Sequence, residues 1–311
     1  MNKQNDYIIP PIDRELLKSE LNDNVFVRNT NKGNNEIYVI NHHNSPNTML
    51  EIGRLRELSF SNAGGGTGQE VDIDKYDTSE NCYEQLIVYS PEDKEITGGY
   101  RFIDCSKIIN TNPIELSTAH YFNFSKDFIN NYLPYTVELG RSWVQPNFQP
   151  SINPRKGIFA LDNLWDGLGA IAVDNPHIKH FFGKMTMYTS FNTEARDALL
   201  YFMKYYFPDP EKLAVPIEPI NTTSLSADFT KKLNGLDFKD GFKILNSFLK
   251  ERGEFIPPLI NSYMSLSPTM KSFGTAPNKE FGEVEETAIL VTIADIYEQK
   301  KARHIDTYKK T

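Results

Sequence analysis

The chain has 311 residues, a formal net charge of −8 and only two cysteines, Cys82 and Cys105. That length can bury a full core, as one large domain or two small ones. The acidic balance argues against bulk nucleic-acid binding, which needs a basic stripe, and the absence of a CxxC or a Cys/His cluster argues against a disulfide framework or a zinc site. Two reduced cysteines fit a cytoplasmic enzyme. Residues 1–11 contain no apolar stretch of the signal-peptide kind, and no apolar run approaches the roughly 18 residues needed to span a bilayer. Integral membrane insertion is therefore not expected, while peripheral contact with the inner membrane stays open.

In chain order, Asp13 can cap a short helix carrying Leu16, Leu17 and Leu21, and 36–40 reads as a strand. Thr48 and Glu51 have capping-box spacing, which predicts a helix over 49–60. On that helix Ile52, Arg56 and Phe60 share one face, so an arginine points where the apolar residues point. The run Gly64-Gly65-Gly66-Thr67-Gly68 lacks a preceding strand, a following helix and a GK[ST] sequence, so it reads as a flexible loop and not a phosphate loop. Strands over 83–89 and 95–103 are joined by a turn at 90–94. A further strand covers 137–144. Prolines 146, 150 and 154 mark a loop before a helix over 157–173, with Leu161, Trp165, Leu168 and Ala172 at helical spacing. A strand over 180–188 and a helix over 193–206 follow. Residues 208–252 are polar, with helix near 241–252. Pro257-Pro258 opens a helix to about 266, and 287–296 is the last strand before a Lys/Arg-bearing tail. The order implies an α/β fold, a mixed twisted sheet with helices on both faces. It is expected to be one domain over 1–311, with an N-terminal helical extension over 1–35 and a helical insertion over 190–252.

The strand 137–144 is unusual because it carries both Glu138 and Arg141. An ionised group buried without a partner costs several kcal/mol, about 3 or more, so this strand is expected to line a polar cleft. In a regular strand residues three apart face opposite sides. Glu138 and Arg141 share the cleft only if the strand bulges, and Gly140 is the candidate bulge site. No histidine has a Ser or Cys partner by motif, so triad chemistry is not indicated.

The ordered series Arg56-x-x-x-Phe60, Asp74-Lys75-Tyr76-Asp77, Gly98-Gly99-Tyr100-Arg101 and Glu138-Leu139-Gly140-Arg141 is similar to the signature of acyl-homoserine-lactone synthases. More closely, the chain resembles the hemolysin-like, ornithine-lipid and glycine-lipid N-acyltransferases of the GNAT-like superfamily. The segment Glu138 to Val144 matches their E-L-G-R-S-x-V strand, and Leu164-Trp165-Asp166-Gly167 their L-W-x-G helix. Phe182-Gly183, Pro257-Pro258-Leu259 and Phe281-Gly282 also recur in order, so the resemblance covers roughly 36–296. Where those relatives tend to have Cys-Val-His-Pro, this chain has Trp143-Val144-Gln145-Pro146, and of the R-x-x-G-x-G phosphate signature only Arg155-Lys156-Gly157 is nearby.

The resemblance implies a GNAT-like fold and transfer of a fatty acyl group, commonly 3-hydroxyacyl, from acyl carrier protein to the α-amine of an amino acid in aminolipid synthesis. No permanently bound cofactor is implied; the acyl-phosphopantetheine thioester, on acyl carrier protein or CoA, is the donor substrate. The acceptor is of the glycine or ornithine type, with overall similarity favouring glycine. An autoinducer-type synthase and a non-catalytic acyl-carrier or membrane-surface binding module are the other readings. An amine attacks a thioester only when neutral, and Glu138 is the candidate base, or else a structural partner of Arg56, Arg101 or Arg141. Arg101 and Arg141 suit a carboxylate clamp because the guanidinium fork binds carboxylates bidentately. Asp74 and Asp77 either pair with these arginines or hold the substrate ammonium; Arg56 and Phe60 complete the substrate side. Arg155, Lys156 and Gly157 precede the 157–173 helix, whose N-terminus is a candidate phosphate cradle. Lys179, Lys184 and the C-terminal tail are alternative basic patches for carrier docking.

Overall fold

A computed structural model describes residues 6–111, 113–157, 159–222 and 225–310; residues 1–5 of the expected extension and Ile158 of the expected 157–173 helix lie outside them. Helix α1 (Arg14–Glu20) starts where the Asp13 side chain accepts from Glu15 N. Helix α2 (Pro46–Ser61) begins earlier than the spacing of Thr48 and Glu51 predicts. Pro46 already has the backbone angle of a first helical turn. Thr48 is not the cap: its N–H and hydroxyl both donate to Glu20 of α1 at 2.7 Å. An acid from another helix thus satisfies the orphan donors at the positive end of α2, and Glu51 pairs with Arg54 instead.

The strands are β1 (Phe26–Asn29), β2 (Glu36–Ile40), β3 (Glu84–Ser90), β4 (Glu95–Asp104), β5 (Phe122–Phe124), β6 (Thr136–Val144), β7 (His180–Met187), β8 (Ala214–Pro216), β9 (Lys271–Asn278) and β10 (Val284–Thr292). The remaining helices are α3 (Lys75–Thr78), α4 (Pro154–Gly157), α5 (Ala160–Asp174), α6 (Thr193–Tyr206), α7 (Ala227–Leu233), α8 (Phe238–Lys250), α9 (Pro258–Met264) and α10 (Glu298–His304). Eight strands form one mixed sheet in the order β1-β2-β3-β4-β6-β7-β10-β9, while β5 and β8 pair apart from it. Within the large sheet β6 and β7 run parallel and the other neighbours antiparallel. Strand β9 escapes a sequence reading because Gly274 and Pro277 interrupt it; as an edge strand it tolerates a proline that a central strand would not.

Strand alternation divides the side chains between two faces. Leu86, Tyr100, Val137, Leu139, Phe181 and Met185 pack on one face against the buried sides of α5, α6, α7, α8 and α9. On the other face Ile87, Tyr89 and Trp143 meet Met49, Ile52 and Leu55 of α2. Further along that face Tyr83, Ile103 and Phe182 meet an irregular segment that includes Cys105, Leu116, Phe128 and Leu133. The helices are thus on both sides of the sheet, as the element order predicts. The stretch 190–252 carries α6, α7 and α8 together with β8.

Candidate active site

Strand β6 does bulge, one residue beyond the expected Gly140. Gly99 pairs with Trp143 but Arg101 pairs with Gly140, so Arg141 and Ser142 together oppose Tyr100. Arg141 takes the extra turn, with φ +45°, a left-handed conformation that costs a non-glycine residue about 1–2 kcal/mol. The additional residue brings Arg141 to the face of Glu138 and Arg101, where a regular strand would have sent it into the opposite core.

What Arg141 meets there is a compact ionic network. Its Nε lies 2.8 Å from Asp72 Oδ2, and its guanidinium sits 4.2 Å from the Phe281 ring centroid. Arg56 bridges Asp72 and Asp77, both at 3.1 Å. Arg101 Nη1 reaches Asp74 at 2.7 Å and Asp77 at 3.2 Å. Gln85 donates to Asp77 at 2.9 Å. Three arginines therefore face three aspartates. Burial pushes the Asp72 carboxyl up, but Arg141 and Arg56 outweigh it and hold it below the usual carboxylate range. Arg56 and Arg101 likewise outweigh burial at Asp77 and hold it low. Arg56, Asp72 and Asp77 are sealed from solvent, while Arg141 and Asp74 keep 15% and 32% of their side chains exposed. The network thus has a buried base and a wet rim. Among the described residues Arg56 Nη2 and Arg101 Nε have no hydrogen-bond partner. Phe60 packs edge-on to Phe281 at 5.0 Å, which explains the arginine–phenylalanine spacing on α2: one residue enters the network and the other supports the ring beneath Arg141.

Glu138 does not join this network. Its carboxylate is wholly buried and accepts from the Tyr83 hydroxyl, from Ser117 N–H and hydroxyl at 3.3 and 3.2 Å, and from Thr118 N–H at 2.9 Å. The expected pairing of Glu138 with an arginine is not what the structure holds. Among the described residues it pairs with none of the three arginines, and its oxygens are engaged by four donors. Burial and then the Glu138 charge push the Tyr83 hydroxyl pKa well up, which keeps that donor protonated.

The opening lies beside the bulge. The parallel β6–β7 ladder runs from Thr136/His180 to Leu139/Gly183 and stops. Beyond the fork the strands part around a narrow cleft bounded by Leu139, Gly140 and Gly183, with Trp165, Tyr263 and Leu266 closing the helical side. A Cβ on Gly183 would lie 2.6 Å from Leu139 O, so only glycine lets the strands approach this closely at the fork. Tyr100 and Tyr263 hydroxyls meet at 3.0 Å in the wall, to which Ser142 and Lys184 also contribute. Trp143 is core, while Trp165 packs against the core and faces the cleft.

Other expected residues fall elsewhere. Arg155, Lys156 and Gly157 form α4, on the connection from the open end of β6 to α5. They are not brought to the ionic network, and Lys156 Nζ is ion-paired with Asp93 in the β3–β4 turn. Lys184 is not a surface patch: its side chain is 12% exposed and sits inside the sheet. The 64–68 loop is pinned, because Thr67 N–H and Gly68 N–H both donate to Glu57 at 2.9 Å; its amides already hold an anion. Asp72, Tyr83, Ser117 and Thr118 escaped the sequence reading. The alternation Val71-Asp72-Ile73-Asp74 was a usable signal for Asp72, since it sends both acids to one side. Ser117 and Thr118 had none, because they reach Glu138 from a distant irregular turn.

A mixed sheet whose one parallel pair parts at a bulge is the framework of a GNAT-type acyltransferase, and the acetyltransferase (GNAT) domain family matches residues 55–154. A glycine N(alpha)-acyltransferase of Phocaeicola vulgatus is 52% identical over 310 residues, covering 97% of this chain and 94% of its own length. A glycine N(alpha)-acyltransferase of Bacteroides thetaiotaomicron is 52% identical over 304 residues, covering 97% and 90%. The chain belongs to the glycine N(alpha)-acyltransferase family. Among solved structures, an N-acyl amino acid synthase from uncultured soil microbes aligns loosely, with a TM-score of 0.39, 8% identity and coverage of 88% of this chain and 98% of that one. Among the described residues no helix is long and apolar enough to cross a membrane.

Proposed function

We propose that this acyltransferase moves a fatty acyl group from an acyl-phosphopantetheine thioester to the α-amine of glycine, making an N-acylglycine for aminolipid synthesis. The observation that carries the reading is the fork at Leu139/Gly183, with a largely apolar wall on one face of the sheet and the arginine–aspartate network on the other. The acyl chain lies along Trp165, Phe181 and Leu266, and the acceptor sits on the Arg141 side. Peptide N–H groups of β6 beyond the fork have no ladder partner on β7 and are available to the thioester oxygen as charge develops on it. Arg141 clamps the acceptor carboxylate and Asp74 attracts its ammonium, since these are the rim members of the network. Glu138 is a positioning residue that ties β6 to the Ser117–Thr118 turn. Glycine as acceptor rests on the names of the two relatives.

Acyl carrier protein is the proposed donor, with acyl-CoA as the competing carrier of the same thioester. The arm enters at the open end of β6, where Arg155 lies beside the Asp93-paired Lys156 and would offer an acidic carrier local positive charge on an acidic protein. We place the reaction in the cytoplasm, with peripheral membrane contact at product release. Purified protein incubated with long-chain and 3-hydroxy acyl-carrier-protein and acyl-CoA thioesters, and with each of the twenty amino acids or ornithine, tests this by mass spectrometry. N-acylglycine from the carrier-protein thioester is the expected product, and the absence of any acylated amino acid sinks the reading.

A further inference from the structure

The acceptor amine arrives as an ammonium ion and must lose a proton before it can attack. Few groups at the fork can take that proton. Arg56, Arg101 and Arg141 never deprotonate. Asp72, Asp74 and Asp77 are ion-paired with arginines, and Glu138 is sealed by its four donors. Tyr76 and Tyr121 are both pushed up to about 12, chiefly by burial, and remain protonated. His120 bonds to Tyr76 and lines a separate hollow.

Lys184 differs from all of these. It directly follows Gly183, the last residue of the β6–β7 ladder, and lines the cleft. Among the described residues its Nζ makes no hydrogen bond. Its nearest acid, Glu286 of β10, is 3.8 Å away, too far for a hydrogen bond. The Glu286 oxygens have other donors, Thr186 at 3.0 Å and Asn278 at 3.2 Å. The amine instead lies 4.3 Å from the Tyr121 ring centroid. We propose that Lys184 is the base that takes the proton from the acceptor ammonium at the fork.

The charged groups around it favour that role. Burial is the largest influence and lowers the Lys184 pKa; Glu286 opposes the shift, Arg141 of β6 reinforces it, Glu138 opposes it and Arg101 of β4 reinforces it. Two arginines near a desolvated amine favour its neutral form. In the step, neutral Nζ accepts one ammonium proton. The freed nitrogen lone pair attacks the thioester carbonyl carbon, the C–N bond forms and the C–S bond breaks. The second nitrogen proton leaves with the thiolate as the thiol. Lys184 then returns its proton to solvent, so each turnover releases one proton.

The proposal rests on the acyltransfer reading, and its test separates the two. kcat is measured at saturating glycine across about pH 6 to 10, where it reports groups in the substrate complex. Wild-type kcat should rise with pH to a plateau, with a midpoint below that of an ordinary lysine. Lys184→Met should lower kcat by about 100-fold or more while the KM for glycine changes little. Lys184→Arg should be equally impaired, because a guanidinium keeps the charge but accepts no proton. If Lys184→Arg restores rate and KM, the residue is a carboxylate clamp and the proposal is overturned. A Met variant with wild-type rate and pH profile overturns it too. Glu286→Gln leaves the lysine intact and removes the acid that raises its pKa, so the rising limb should move to lower pH; a limb that stays in place refutes the assignment even if the Lys184 variants fold poorly. A wild-type protein that acylates nothing defeats the acyltransfer reading instead.

Discussion

Asp72 is the balance point of the ionic network, and Asp72→Asn is the sharpest test of how that network is held. Its Oδ2 lies 3.1 Å from Arg56 Nε and 2.8 Å from Arg141 Nε, and its Oδ1 accepts from Arg141 at 3.2 Å, with no solvent exposure. Asparagine keeps the shape and removes the charge, leaving three arginines against Asp74 and Asp77. Breaking a buried pair by neutralising one partner costs about 3–5 kcal/mol, because the remaining cations stay desolvated. The strained φ of Arg141 would also lose its compensating contact. Equilibrium urea unfolding at neutral pH measures the difference, and repetition at falling pH checks its cause. The Asp72 pKa is lower in the folded protein than in the unfolded chain. Its contribution is therefore complete above the unfolded value of about 4 and disappears as pH falls through the folded one. The gap between wild type and Asp72→Asn should shrink over that acid range. A loss below about 1 kcal/mol at neutral pH, or a gap that is unchanged or wider in acid, would show that the network is not held by the charge of Asp72.

Gly183→Ala places a Cβ 2.6 Å from Leu139 O; the fork must open, and a loss of about 1–3 kcal/mol in thermal unfolding is expected with a large fall in acyl transfer. An alanine variant with wild-type rate and stability would show that the close approach is unimportant. Glu138→Gln turns an amide N–H₂ toward a set of four donors, with an expected cost of about 2–3 kcal/mol. Its residual activity should keep a rising limb, moved to lower pH because the Glu138 charge raises the Lys184 pKa, whereas loss of that limb would restore Glu138 as the base. Trp165→Ala lengthens the apolar side of the cleft, so competition between thioesters should shift toward longer acyl chains; an unchanged chain-length preference would place the acyl group elsewhere.

The sequence by itself determined the elements that periodicity and punctuation can encode. The apolar face of α5, the hairpin turn between β3 and β4, and the buried direction of Arg56 on α2 all follow from spacing along one segment. The ordered motifs carried the family. It also exposed the conflict in β6, since alternation alone forbids Glu138 and Arg141 from sharing a face. Only the tertiary structure decided how that conflict resolves. The bulge falls on Arg141 itself because Asp72, from a segment distant in sequence, holds the guanidinium on the network side. Glu138 is buried and hydrogen-bonded because Tyr83 and the Ser117–Thr118 turn converge on it. Lys184 turns from expected surface charge to buried amine because β10 and Tyr121 cover it. Which donors and charges surround a side chain is a non-local property, set by the meeting of strands and turns that no window of sequence contains. For ionisable groups those surroundings fix protonation, and with it the chemistry each can perform.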